Sequence, residues 1–449
     1  NDMYMSCDSA HYYEKTRIVK AYSNIHIQKG DTLHLYGEYL FYNSDNELAE
    51  VVGNVLLIDR ETKLYTDHIY YDMANEVANY NTGGRIISDD NVLTSIIGIY
   101  WAETEIFNFK DSVKLVNPDY TMYSDTLVYN SDKEIAYFFG PSEIFGDSLY
   151  AKCEEGWYDT KNKVSLLKTN AMIDNEKQVI SGDSLYYDDE AGYGYAFYNV
   201  TINDRNRDMI IKGNQAWHHR EPEEFMVTDS AQFIQTSEDD YLYLHADSLW
   251  SLTTSGPKGD TQLLRAWYGV RIFSNDLQGK CDSLTYSATD SIVRLYDSPV
   301  LWSDQNQLMA DSIRLYIEND VIDRMELYGS AFVIEKVDTT RFNQIRGSLL
   351  TGYFRENAIY RIQVKGNAEN IYYAVDEGKL VGVNQGTCAS MDIYMKDGKI
   401  SDIYMFQDPD GSLDPPLHKS SLERRYNTFR WLDNIRPRDR FDIFRKTME

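Results

Sequence analysis

The chain has 449 residues, 43% of them hydrophobic, and a net charge of −27. So acidic a surface repels phosphate backbones and anionic bilayer faces, which argues against nucleic-acid binding. No run of about 18 apolar residues is present, which excludes a membrane-spanning helix, while the 37 tyrosines favour strands.

Taken in order, the chain repeats itself. A small residue, an acid or amide, a polar residue and then apolar residues two apart recur at Cys7-Asp8-Ser9, Gly37-Glu38-Tyr39-Leu40 and Thr66-Asp67-His68-Ile69. The pattern returns at Ser124-Asp125-Thr126-Leu127, Gly182-Asp183-Ser184-Leu185, Gly213-Asn214, Ala246-Asp247-Ser248-Leu249, Cys281-Asp282 and Ala310-Asp311. With degenerate copies at Ile97 and Cys153, the acid slot advances in steps of 28 to 35 residues, and a period this steady is the mark of a stacked repeat. Beyond Asp311 the register blurs, with units expected near Ser348, Asn370 and Ser390.

Each unit divides in two. Three residues before the acid stand Leu35, Leu64, Met122, Ile180, Ile211 and Leu244, and two after it Leu40, Ile69, Leu127, Leu185 and Leu249. These pairs are five apart, so a flat strand would point them to opposite faces; one shared core requires a bend, expected at the small residue before the acid. Polar turns such as Asn43-Ser44-Asp45-Asn46 follow, and a second apolar run with a central Gly or Asn returns, as in Val51-Val52-Gly53-Asn54-Val55. The expected fold is therefore all-β: an elongated solenoid of about 30-residue units, two bent strands each, that stack into facing sheets.

Three segments are expected: repeats over 1–252, degenerate repeats over 261–407, and a tail over 408–449. The stretch Thr253–Asp260 has a loop composition. From Leu417 to Glu449 nine Lys or Arg outnumber five Asp or Glu. Leu422, Tyr426, Phe429 and Leu432 would share one face of a short amphipathic helix, acting as a cap over the last strand edge or as a docking segment. No signal peptide is found at Asn1, and the chain starts inside a repeat, so a mature or trimmed form is expected.

Catalytic constellations are missing: the sequence holds no GxSxG, HExxH or phosphate-binding Gly loop, so no enzyme and no cofactor are expected. Calcium laddering needs six to eight oxygens per ion, whereas one acid recurs per thirty residues; a structural role is expected, with the carboxylate accepting backbone N–H groups at the bend. Cys7, Cys153, Cys281 and Cys388 include no CxxC pair and are expected to be small packed residues without metal. What remains is the apolar interior. It is core if the sheets close and a groove for acyl chains if they splay.

The (A/G)-D-S-L-x-Y strand with a Gly53-Asn54-Val55-Leu56-Leu57 return resembles the OstA-like (LptA) family of lipopolysaccharide transport. That resemblance implies a periplasmic β-jellyroll, or β-taco, whose groove shelters lipid A acyl chains on their way to the outer membrane. It also implies partners: lipopolysaccharide or a related glycolipid, and other bridge or translocon components, or further copies, joined through end strands. The lining would be Leu35, Leu40, Leu64, Ile69, Met122, Leu127, Ile180, Leu185, Ile211, Leu244 and Leu249. On this reading a charge at Leu127 or Leu185 abolishes lipid capture without unfolding. The alternative reading is a closed β-solenoid scaffold or adhesive rod without lipid.

Overall fold

The computed structural model describes residues 3–236, 241–256, 259–318, 321–355, 358–376, 379–396, 399–415 and 420–445. Two compact units divide at Asn206/Arg207, inside the stretch expected as one segment, 1–252.

Unit 1 is an antiparallel meander. Ile18–Lys29 pairs with Leu33–Asn43, that strand with Leu48–Asp59, and Leu48–Asp59 with Thr62–Asp72. The pattern continues through Ile106–Val116, Tyr120–Asn130 and Ile135–Gly146 to Tyr193–Asp204. Between Thr62–Asp72 and Ile106–Val116 the fold line breaks the strands outright. Val77–Tyr80 and Gly84–Ser88 pair with the two halves of one neighbour, Thr62–Asp72.

Every long return strand carries one extra residue at its middle. Tyr22 pairs with Tyr39 and Ile25 with Gly37, leaving Ser23 and Asn24 opposite Glu38. The bulge residues come in left-handed pairs: Ser23-Asn24, Gly53-Asn54, Asp111-Ser112, Thr169-Asn170, Tyr198-Asn199, Asp229-Ser230 and Gly329-Ser330 all have φ between +42° and +85°. The bend is therefore built on the return strand, opposite the acid, and not at the small residue of the outgoing strand. At Gly329, with a φ of +65°, glycine lets Asp311 lie close over the bulge, and an added Cβ would push that carboxylate aside.

The acid's role also differs from expectation. Asp8 and Asp183 accept hydrogen bonds from the side-chain amides of Asn24 (2.9 Å) and Asn199 (3.0 Å), and Glu38 from Asn54. Around Asn214 the partners are exchanged: its amide donates to Asp229 across the bulge at 3.2 Å. The backbone N–H of Asp8 instead donates to the bulge carbonyl of Ser23, and that of Asp311 to Gly329. The carboxylate thus clamps a left-handed asparagine, and the backbone amide is satisfied separately.

Pairing also resets the repeat ruler. Ser142 faces Cys153, as Val113 faces Ser124, so Cys153 holds the small slot and Glu154 the acid slot; likewise Ser95 holds the small slot before Ile96. With that shift the acid slot runs 38, 67, 96, 125, 154, 183, a step of 29 throughout. Later, Ser348 and Ala389 are true acid slots, since Gly347 faces Ala331 and Cys388 faces Ala368. Asn370, however, lies in the return strand beyond the Gly366-Asn367 bulge, so no unit starts there.

Turns stack as regularly as strands. The left-handed residues Arg17, Glu47, Glu76, Glu105, Glu134 and Lys163 each offer their carbonyl to the next turn, accepting from Ser44, Met73, Ala102, Ser131, Thr160 and Asp189 at 3.0–3.1 Å. This column satisfies turn backbone that would otherwise be left to water.

In unit 2 the stretch expected to be a loop, 253–260, is the tip of a long hairpin. Tyr241–Gly256 and Gly259–Phe273 stay paired out to Gly256 and Gly259, with 257–258 outside the described residues. The tail adds one more strand, Asp410–Asp414, on Lys379–Lys396. It then forms single 3-10 turns at Asp433–Ile435 and Asp442–Phe444 instead of the expected amphipathic helix. Leu422 is exposed, while Tyr426, Phe429 and Trp431 pack on Phe332, Ile334 and Phe342.

The tail's course follows from two glutamines. Gln344 Nε2 donates to the Arg424 carbonyl, and its Oε1 accepts from the Tyr426 N–H; Gln307 treats Arg430 and Leu432 in the same way. Each amide side chain thus satisfies two backbone groups of a non-helical segment. Further along, Arg436 bonds Gln278, and Arg271 Nε donates to the Arg445 carbonyl. The tail therefore runs back across the strands rather than capping the last edge. It does so on the outer face of the sheet. Phe332 and Ile334 alternate with inward Ala331 and Val333, just as Leu56 and Ile58 alternate with Val55 and Leu57 in unit 1.

Candidate apolar groove

Both halves of each bent strand in the first part of unit 1 face one cavity of about 700 Å³, lined by residues between Met5 and Phe109. Leu35 and Leu40 lie on either side of one fold line and both line it, as do Leu64 and Ile69. The sheet is thus folded on itself with the repeat apolars inside.

Burial grades from apex to rim. At the apex Leu40, Val51, Val55 and Ile69 are 1–3% exposed, whereas Leu35, Leu57 and Leu64 on the arm are only half-buried. Tyr80 plugs the apex where Gly84 and Gly98 leave room, its hydroxyl 2.6 Å from Ser95 Oγ. In unit 2 the corresponding arm residues Leu308, Val333 and Ile345 are all buried. The interior is therefore an open trough at Leu35, Leu57 and Leu64, and a closed core around Leu308, Val333 and Ile345; further along unit 1 the arm closes too, at Leu93 and Met122.

The predicted lining residues fall accordingly. Leu35, Leu40, Leu64 and Ile69 line the cavity. Ile180 is half-buried further along the same wall, and Met122, Leu127 and Leu185 are buried. Ile211, Leu244 and Leu249 belong to unit 2 and are buried in its core. Leu127 and Leu185, at 3% and 4% exposure, are apex residues, so a charge there is expected to cost the fold as well as the groove.

Sequence reading missed a second wall. Tyr42, Tyr71, Tyr100, Tyr129, Tyr158 and Tyr187 recur every 29 residues, four after the acid slot. All six are half-buried, and the first three line the cavity. Burial, helped by Glu76 and Asp72, holds the Tyr71 hydroxyl above its ordinary pKa, and burial with Glu105 does the same for Tyr100. The period alone could have found this column, had the ruler been set at Glu154 and Ile96.

The four cysteines all occupy the small slot beside the fold line. Burial pushes the Cys153 thiol up to about 11 and the Cys281 thiol to about 12, and raises Cys388 as well. We expect a maleimide at pH 8 to label Cys7 in the folded protein and the other three only after denaturation, read by intact-mass counting. Among the described residues no group of three or more His, Cys, Asp or Glu is placed to hold a metal ion. Among the described residues no helix is long and apolar enough to cross a membrane.

An antiparallel meander folded along a line of bulges, with an apolar trough between its arms, defines a β-jellyroll class of groove protein. Residues 1–125 match the family described as OstA-like protein. No curated protein sequence matches. Among solved structures the chain is similar to LptH of Pseudomonas aeruginosa, described as the LptA-homologous periplasmic component of its lipopolysaccharide transport device. The identity is 13% and the TM-score 0.15, over 29% of this chain and 76% of that one.

Proposed function

We propose that this protein is a periplasmic component of lipopolysaccharide transport that shelters the acyl chains of lipid A, or of a related glycolipid, in the unit 1 trough and conveys them toward the outer membrane. The observation that carries the reading is the half-exposed apolar wall above a sealed apex, within the residues that match the OstA-like family. Each methylene that leaves water for such a wall contributes about 0.8 kcal/mol, so several chains give ample affinity without any catalytic group. The apolar wall repeats every 29 residues, which gives a chain equivalent positions to step between. The closed core of unit 2 suits a support more than a conduit. Other bridge or translocon components, or further copies, would join through strand addition at the ends of the meander.

A photoreactive residue tests the reading. Placed at Leu64, inside the trough, it is expected to crosslink to added lipopolysaccharide; placed at the neighbouring Tyr65, which is exposed on the outer face, it is not. Equal crosslinking at both sites would overturn the proposal.

A further inference from the structure

The two walls of the trough are built differently. One is aliphatic from strand to strand: Ile27 pairs with Leu35, Leu35 with Leu57, Leu57 with Leu64 and Leu64 with Ile86. The facing wall alternates large and small. Tyr42 pairs with Ala49, Ala49 with Tyr71, Tyr71 with Ala78 and Ala78 with Tyr100. The next small position is taken by Phe107, which pairs with Tyr100 and stacks on it at 4.2 Å between ring centroids. All six of these residues line the cavity, and its lining ends at Phe107 and Phe109.

Successive tyrosines stand two strands apart, about 9–10 Å. A single row of methylenes midway between them, over the alanine, would lie about 5 Å from each ring. That is just outside the 3.5–4.0 Å contact distance, so one row fits and two do not. We infer that the tyrosine–alanine wall is a comb whose slots, over Ala49 and over Ala78, each seat one saturated alkyl chain, and that Phe107 fills the third slot. This deepens the proposed lipid reading and rests on it. It commits the ligand to an amphiphile with several separate unbranched chains, lying along the strands, with their polar ends at the rim beside the tyrosine hydroxyls. Beyond Phe107 the small positions resume at Ala136 and Ser165, each between tyrosines, and at Gly194 beside Tyr187.

Native mass spectrometry of the full chain with palmitate as probe tests the slots. The wild type is expected to bind a fixed number of palmitates, at least two. A49F and A78F are each expected to bind one fewer, and the fold should accept them, since Phe107 already occupies the equivalent position one unit on. F107A is expected to bind one more, a gain that an unfolded protein cannot mimic. Unchanged stoichiometry across the three variants would overturn the slots while leaving the lipid reading in place. A folded wild type that binds no palmitate would overturn both.

Discussion

Leu127→Asp or Leu185→Asp is expected to unfold unit 1 rather than merely empty its groove. Both side chains lie at the apex, 3% and 4% exposed, and each pairs across strands with apolar residues: Leu127 with Phe109 and Phe138, Leu185 with Leu167 and Ala196. None of these apolar neighbours can pair a carboxylate. An unpaired buried charge costs more than about 4 kcal/mol, a large share of a domain's total stability. Leu64→Asp is the informative contrast, because its side chain is half-buried at the trough wall and its carboxylate can stay in water. Circular dichroism and urea denaturation should show Leu64→Asp folded with a slightly lower midpoint, and the two apex variants with their cooperative transition lost. Apex variants that melt like the wild type would mean that the fold line is not the structural core.

Truncation after Pro415 is expected to be the most damaging change in unit 2. It removes Ile443, which is fully buried, and strips Tyr426, Phe429 and Trp431 from Phe332, Ile334 and Phe342. It also leaves the Gln344 amide, 1% exposed, without two of its bonds and the Gln307 amide without its bonds to Arg430 and Leu432. Each abandoned amide costs about 1–3 kcal/mol, and each uncovered large apolar side chain about 1.5–3 kcal/mol. We expect the truncated protein to be cut by trypsin or chymotrypsin within 300–345 and to self-associate through the uncovered face. A double Gln307→Ala and Gln344→Ala variant should show a smaller loss of the same kind. Truncation without change in proteolysis would mean that the tail is a passive appendage.

Much of this architecture was legible in the sequence, for particular reasons. The five-residue spacing of Leu35 and Leu40 demanded a bend, and the shared cavity of those two residues delivers it. Which strand bends was not legible, because a bulge is defined by two strands together, and Ser23-Asn24 looks ordinary until it is set opposite Glu38. The mistaken acid slots at 97 and 153 came from the same source: register is a pairing property, and one residue of slip exchanges inside for outside. The tail's basic, aromatic pattern suggested a helix, yet Arg424–Leu432 is held in an irregular, turn-containing course by Gln307 and Gln344, 80 residues or more upstream. Local periodicity carries no information on such long-range amides. The distinction between open trough and closed core lies in half-exposure against burial of equivalent leucines, Leu35 and Leu308, which are identical in the sequence pattern.

The most direct test of the central claim is native mass spectrometry of the full chain with added lipopolysaccharide, comparing the wild type with Leu64→Asp and Tyr65→Asp. The account predicts a bound glycolipid on the wild type and on Tyr65→Asp, and its loss from a folded Leu64→Asp. A folded wild type that carries no glycolipid, or one that holds it equally well in Leu64→Asp, would contradict it.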